Sequence, residues 1–193
     1  MKFSAGLCAL LSLASTVTAS VVTLDAREEP PSAGECGILA KDRGKHRPDY
    51  TMSWPCSSLQ VDCINKTKTT TYIWSKTSCV AAAICESPNS IVQYARCSFN
   101  NPQIATQYDT PALSTNIYKN IVGPCADQGC PMTQQNFVDF MYSSLTAINS
   151  THWPESVESI VEQWWNPLKG WANAGETVPY AGLNDFLHLA RPR

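Results

Sequence analysis

The sequence predicts a mainly α-helical protein held together by disulfides, with at most a small β element near residues 67–74. Two observations predict this fold class. After residue 110, apolar residues recur every three or four positions, which is the period of a helix packed on one face. Eight of the nine cysteines lie within residues 36–130, and an even number is typical of a disulfide framework in a secreted protein.

The first 19 residues have the pattern of a secretory signal peptide. Lys2 is followed by an apolar run over residues 3–14, and Val17-Thr18-Ala19 supplies small residues at a cleavage site. The run is shorter than the roughly 20 residues that cross a bilayer. We therefore expect a secreted, extracellular protein with no membrane span. Residues 20–35 are polar and proline-rich, which predicts a flexible leader, and residues 36–193 are expected to form a single domain.

Composition limits the partners. The formal net charge is −2, so the chain has no overall positive field for nucleic acid. The two sequons Asn65-Lys66-Thr67 and Asn149-Ser150-Thr151 predict N-glycosylation at Asn65 and Asn149. The expected partner is an unknown extracellular protein or glycan.

The apolar run from Cys79 to Cys85 predicts the central helix. Its three consecutive alanines favour helix, and Ser75, Thr77 or Ser78 can cap it. Six positions turn a helix by about 240°. We therefore expect the two cysteines to point to different faces and to tie this helix to two other segments.

The pairing of the cysteines stays open, because eight cysteines allow 105 connectivities. Cys56 to Cys63 and Cys125 to Cys130 are the candidates for short local loops. The cysteines predicted to form disulfides are Cys36, Cys56, Cys63, Cys79, Cys85, Cys97, Cys125 and Cys130.

The elements before residue 110 are weakly patterned. The basic cluster at 41–50 is expected to be a solvated loop, with an anion or glycan contact as the alternative. Threonines followed by Tyr72, Ile73 and Trp74 favour a strand. Residues 90–96 fit either a strand or a short helix.

The later helices are more clearly marked. Asp109 or Thr110 is expected to cap a helix that has Pro111 in its first turn and ends at Gly123, and Thr133 to cap the next. Their apolar positions are Leu113, Ile117 and Ile121, then Phe137, Phe140, Met141, Leu145 and Ile148.

A third helix is predicted from Trp153, broken at Asn166-Pro167 and followed by a short helix ending near Gly175. Its buried stripe is expected at Val157, Ile160, Val161 and Trp164, and that of the short helix at Leu168 and Trp171. The last helix carries Leu183, Phe186, Leu187 and Ala190.

These patterns divide the domain into a disulfide-framed half, residues 36–130, and a tryptophan-rich helical half, residues 131–193. The central helix is expected to contact the second half through Val80, Ala83 and Ile84. Loss of Cys79 is therefore predicted to disorder the first half before the second.

No catalytic, cofactor or metal-binding residue is predicted. Asp185 and His188 have the spacing of an oriented Asp–His pair, and Glu158 and Glu162 that of paired carboxylates, but simple surface placement is favoured for both. Trp165 is the candidate ligand contact, weighed against core packing.

The signal peptide, acidic proline-containing leader, eight cysteines and tryptophan-rich end resemble small secreted cysteine-rich proteins of filamentous fungi. The segment 178–188, VPYAGLNDFLH, is similar to segments of uncharacterised members of that group. The resemblance carries over no functional residue. The leading hypothesis is a secreted, disulfide-stabilised, non-enzymatic interaction protein, effector-like or cell-wall-associated. The alternatives are a small extracellular hydrolase using Asp185, Glu158 or Glu162, and a carrier of a small apolar ligand between Trp164 and Trp171.

Overall fold

The computed structural model describes residues 32–44, 54–70, 72–99 and 110–188. It is mainly helical and disulfide-stapled, which confirms the predicted fold class. The helices are α1 (Ala33–Gly44), α2 (Trp54–Lys66), α3 (Thr77–Cys85), α4 (Pro88–Phe99), α5 (Thr115–Val122), α6 (Gln134–Ala147), α7 (Val157–Ile160), α8 (Asn166–Trp171) and α9 (Tyr180–Leu187).

Several predictions lie wholly or partly outside these residues. The signal peptide and leader residues 20–31 are not described, and neither are basic-cluster residues 45–50 or Ala190. The helix α1 begins at Ala33, within the last three residues of the predicted leader. Ser32 and Glu35 bond reciprocally at its start, because Ser32 N–H donates to Glu35 Oε2 (2.7 Å) and Glu35 N–H to Ser32 Oγ (3.2 Å).

The described residues of segment 67–74 form no strand, which agrees with the predicted limit of at most a small β element but not with the local preference of these residues for a strand. The chain instead forms two 3₁₀ turns, Thr67–Thr69 and Ile73–Ser75. Ile73 and Trp74 are buried, and the Trp74 indole N–H donates to Thr110 Oγ1 (2.7 Å). Tertiary packing, rather than cross-strand pairing, thus accounts for these β-favouring residues. The ambiguous segment 90–96 is helical, within α4.

The helix α3 lies at the centre of the fold, and all its residues from Ser78 to Ile84 are buried. It packs against α2, α4, α6 and α9. Its N-cap is Lys76, rather than any of the three predicted hydroxyl residues, and within the described chain no side chain caps it. Ser75 Oγ donates instead to the Tyr72 carbonyl (2.7 Å), in the preceding turn.

Two disulfides join α3 to α2. Cys79 pairs with Cys63 and Cys85 pairs with Cys56, with Cα atoms 4.6 and 5.6 Å apart. Both cysteines of α3 therefore lead to one helix, and the expectation of two different segments was wrong. The reversed order of the partners shows that α2 and α3 run antiparallel, which places each pair side by side.

The other two disulfides link α1 to α4 and close a short loop. Cys36 pairs with Cys97, and Cys125 with Cys130, as one of the local candidates predicted. The other local candidate, Cys56 to Cys63, is wrong. Seven residues along a helix rise about 10.5 Å, which exceeds the Cα separation of about 4.4–6.8 Å that a disulfide spans.

Of the first three helices predicted after residue 110, two begin later than expected. The first is α5, which begins after Ser114 instead of at Pro111. The next, α6, is capped by Thr133 as predicted, in a reciprocal arrangement with Asn136. The third, α7, begins at Val157 after the Ser156 cap rather than at Trp153.

The predicted break at Asn166-Pro167 does not occur. A π-helical turn, Val161–Trp165, joins α7 directly to α8, and Asn166 N–H bonds to the Val161 carbonyl. A proline removes an α-helical N–H and its ring crowds the carbonyl four residues earlier. The wider π turn relieves this conflict, so the chain continues as helix to Trp171.

One cluster of buried side chains runs from α2 to α9 and includes Val80, Ala83 and Ile84 of α3. Outside the helices, Met132 and Val178 form an antiparallel bridge, with two N–H···O bonds of 2.8 Å. The Tyr118 hydroxyl donates to the Val178 carbonyl (3.1 Å). Burial raises the pKa of this phenol. In the described part of the chain, no helix is long and apolar enough to cross a bilayer.

Candidate functional site

A groove of about 420 Å³ lies between α2 and the loop that follows α6. The lining residues are Ser57, Ser58, Val61, Asp62 and Asn65 on α2, and Ile148, Asn149, Ser150, Thr151 and His152 on the loop. Three of the five residues on each wall carry a hydroxyl or amide group, and Val61 and Ile148 add apolar surface.

The loop wall takes its shape from short polar contacts. Asn149 has a positive φ of 50°, a left-handed conformation that asparagine adopts more readily than most residues. Ser150 N–H bonds to the Leu145 carbonyl (3.0 Å), and Ser150 Oγ donates to the His152 carbonyl (2.7 Å). The backbone therefore turns sharply after α6 and presents its hydroxyls beside the groove.

Both sequon asparagines line this groove. Asn65 is exposed in the last turn of α2, and Asn149 is exposed on the opposite wall. Val61, one turn before Asn65, is 41% exposed in the groove. The two sequons were visible in the sequence, but their shared location depends on how α2 packs near the end of α6.

The groove carries one ion pair. Lys66 Nζ lies 2.7 Å from Asp62 Oδ2, one helical turn apart on α2. The pair balances the charge of the partly buried Asp62 carboxylate next to the groove. The remaining lining is suited to hydrogen bonding with neutral polar groups.

An aromatic ledge, formed by Trp153 and Tyr142, follows the loop wall. Trp153 is 46% exposed, and its ring stacks on Tyr142 with centroids 6.1 Å apart and planes 22° apart. Val157 is 43% exposed, which contradicts its place in the predicted buried stripe. It lies in the first turn of α7, and the core-facing side of this segment is formed by Ile160, Trp164 and Trp165.

The tryptophans named from the sequence lie elsewhere. Trp165, the candidate ligand contact, is 0% exposed and packs on Phe137 with ring centroids 5.3 Å apart. Trp164 is also buried, and Trp171 meets Phe186 edge-on at 5.3 Å. These contacts match the core-packing alternative, and none of the three tryptophans lines the groove.

The Asp185–His188 spacing does not produce a catalytic arrangement. His188 Nδ1 lies 2.7 Å from the Asn184 carbonyl oxygen and Nε2 lies 2.8 Å from the Thr110 carbonyl oxygen. Carbonyl oxygens only accept hydrogen bonds, so the ring nitrogen that carries the proton donates to one of them, and the ring lies between the Asn184 and Thr110 carbonyl groups. A general base needs a ring nitrogen that can reach substrate.

His188 instead belongs to a polar face of α9 that the sequence analysis missed. Tyr180 Oη donates to the Leu113 carbonyl (2.6 Å), and Leu113 N–H donates to Asn184 Oδ1 (2.9 Å). Tyr180, Asn184 and His188 recur every four residues, the spacing that places side chains on one face of a helix. This face holds the extended segment 110–114 against the core.

We expect His188→Ala to lower the free energy of unfolding by about 1–3 kcal/mol, because it leaves the backbone carbonyl of the buried Thr110 without its ring donor. Urea denaturation measures this change. The control is Asp185→Ala, which should be close to wild type. Unchanged stability in both variants, together with loss of a hydrolytic activity in both, would contradict the structural role.

The carboxylates considered for glycoside hydrolysis are exposed. Glu158 lies in the first turn of α7, where a bond from its own backbone N–H and a second from the Ser156 hydroxyl lower its carboxyl pKa. A general acid needs the opposite shift. Glu162 is exposed on the π turn. Among the described residues, no group of three His, Cys, Asp or Glu side chains is placed to hold a metal ion.

Comparison of the chain with protein-family models, curated proteins and solved structures finds no match. The groove and the aromatic ledge therefore have to be interpreted from their own chemistry.

Proposed function

We propose that the protein is a secreted, non-enzymatic interaction protein that binds carbohydrate, such as a cell-wall polysaccharide, on the aromatic ledge and in the adjoining groove. The supporting observation is the half-exposed Trp153 ring, held in place by stacking on Tyr142. The fold supports an extracellular setting, because all eight cysteines after residue 20 form intramolecular disulfides.

The ledge suits the apolar face of a sugar ring. A tryptophan presents a large flat surface with two side-chain torsions, so fixing it in advance lowers the entropy lost on binding. In this protein the stacking contact with Tyr142 fixes the Trp153 ring before a ligand binds. Val157, four residues after Trp153, is a second exposed apolar side chain in this part of the chain.

The groove suits the hydroxyl groups of a saccharide. Serine and threonine hydroxyls both donate and accept hydrogen bonds, and asparagine amides do the same through separate atoms. On the α2 wall these groups are the hydroxyls of Ser57 and Ser58, whereas the Ser150 hydroxyl of the loop wall is bonded to the His152 backbone. A neutral, polyhydroxylated ligand matches this lining better than an anion or a peptide with charged side chains.

The test is binding of the secreted protein to insoluble chitin, β-glucan and cellulose, followed by a glycan array. We expect Trp153→Ala to weaken binding about tenfold, which corresponds to 1.4 kcal/mol of lost contact. The matched control is Tyr72→Ala, which removes another half-exposed aromatic ring that lies outside the groove. It should bind as wild type does.

If the wild-type protein binds none of these carbohydrates, the proposal is wrong. Equal weakening by Trp153→Ala and Tyr72→Ala would also contradict it, since the ledge would then have no specific role. Circular dichroism of both variants checks that each keeps the wild-type helical content.

A further inference from the structure

We infer that N-glycans attached at Asn65 and Asn149 cover the groove from its two walls and limit access to it. This inference rests on the two predicted sequons, and its consequence for ligand binding rests on the proposed function. It goes beyond both, because the sequence gives no reason for two sequons 84 positions apart to serve one site.

The placement of the attachment points carries the inference. Asn65 lies on α2 and Asn149 on the facing loop, and both side chains belong to the lining of one groove. A glycan on either asparagine therefore begins inside the rim rather than on a remote surface. Two glycans starting from opposite walls converge over the same space.

The groove surface is suited to the chain's own sugars. Val61 lies four residues before Asn65, about 6 Å along the helix axis, and its exposed side chain offers an apolar contact to the first sugar. The hydroxyls of Ser57 and Ser58 extend the same wall. The Asp62–Lys66 ion pair leaves no unbalanced charge beside Asn65.

The two sequons differ in how they can be removed. Thr67 is buried, and its Oγ1 donates to the Ile64 carbonyl (3.0 Å), so changing it would disturb α2. Asn65→Gln is the suitable change there. Thr151 is exposed, so Thr151→Ala removes the second sequon without altering the left-handed Asn149. Its matched control is Thr151→Ser, which keeps the sequon.

The experiment uses the full chain secreted by a glycosylating eukaryotic host. Mass spectrometry of glycopeptides measures occupancy at both asparagines. Hydrogen–deuterium exchange of residues 148–152 is then compared before and after an endoglycosidase trims each glycan to one sugar. We expect both sites to be occupied and exchange of the loop amides to be slower with intact glycans. If neither asparagine carries a glycan, or if the loop amides exchange at the same rate before and after trimming, the inference that glycans cover the groove is wrong.

Binding to the polysaccharides of the preceding test separates the two proposals. Trimmed protein and the Asn65→Gln/Thr151→Ala double variant should bind about tenfold more tightly than the intact glycoprotein, whereas Thr151→Ser should not. If every glycoform binds carbohydrate equally, the glycans do not limit access to the groove, and the proposed function is unaffected. If no glycoform binds carbohydrate but the loop amides exchange more slowly with intact glycans, the proposed function is refuted and the inference that glycans cover the groove is supported.

Discussion

Replacing Cys63 and Cys79 together with alanine should lower the free energy of unfolding by about 3–5 kcal/mol. The disulfide closes a loop with a sequence separation of 16, and a loop of that size accounts for about 3 kcal/mol through the entropy of the unfolded chain. Both cysteines are 0% exposed, so truncation also removes packed sulfur atoms from the core. Guanidinium denaturation of the double variant measures the total.

The loss should spread beyond residue 130. From the sequence, the disulfide-framed half was expected to lose order first while the later helices partly survived. The structure changes that expectation, because α3 is buried on all sides and packs on α6, α9 and the π turn as well as on α2. Hydrogen exchange should therefore show α6 and α9 opening together with α2 and α3.

The matched control is Cys125→Ser/Cys130→Ser. That disulfide spans a separation of only 5, in a 3₁₀ turn without buried residues, and the same chain-entropy relation gives about 2 kcal/mol. Exchange protection in α6 and α9 that survives loss of the Cys63–Cys79 bond would show that the two halves fold independently and that packing on α3 does not couple them.

Local signals in the sequence were enough for some elements. Thr133 lies directly before the residues whose apolar positions repeat with a helical period, and it caps α6 together with Asn136, three residues later. Cys125 and Cys130 are close enough in sequence to pair without help from the fold. Such features depend on a few neighbouring residues, which the sequence displays directly.

Features set by tertiary packing were not predictable in this way. Asn166-Pro167 is a strong breaker in isolation, but the chain passes through it as helix, directly after a π turn that contains the buried Trp164 and Trp165. The stacking of Trp153 on Tyr142 joins a loop to a helix eleven residues earlier. The sequence identified the sequons of the candidate site but not the groove between them.

Trp165→Ala should destabilise the fold by about 3–5 kcal/mol, the range for a buried tryptophan truncated to alanine. The indole is 0% exposed, packs on Phe137, and lies in the π turn that connects α7 to α8. Removing it leaves a cavity in the middle of the helical core. Thermal and urea unfolding measure the change. The control is Trp153→Ala, which removes the same side chain from a half-exposed position and should cost less than about 1 kcal/mol.

A third variant, Trp165→Phe, distinguishes packing from hydrogen bonding at this position. Within the described residues, the indole N–H of Trp165 has no hydrogen-bond partner, and an unpaired buried donor costs about 1–3 kcal/mol. Phenylalanine removes that donor while it keeps most of the ring contact with Phe137, so we expect Trp165→Phe to be far less damaging than Trp165→Ala. If both variants lose the same stability, the indole N–H contributes a bond, through an ordered water for example, that the ring contacts do not replace.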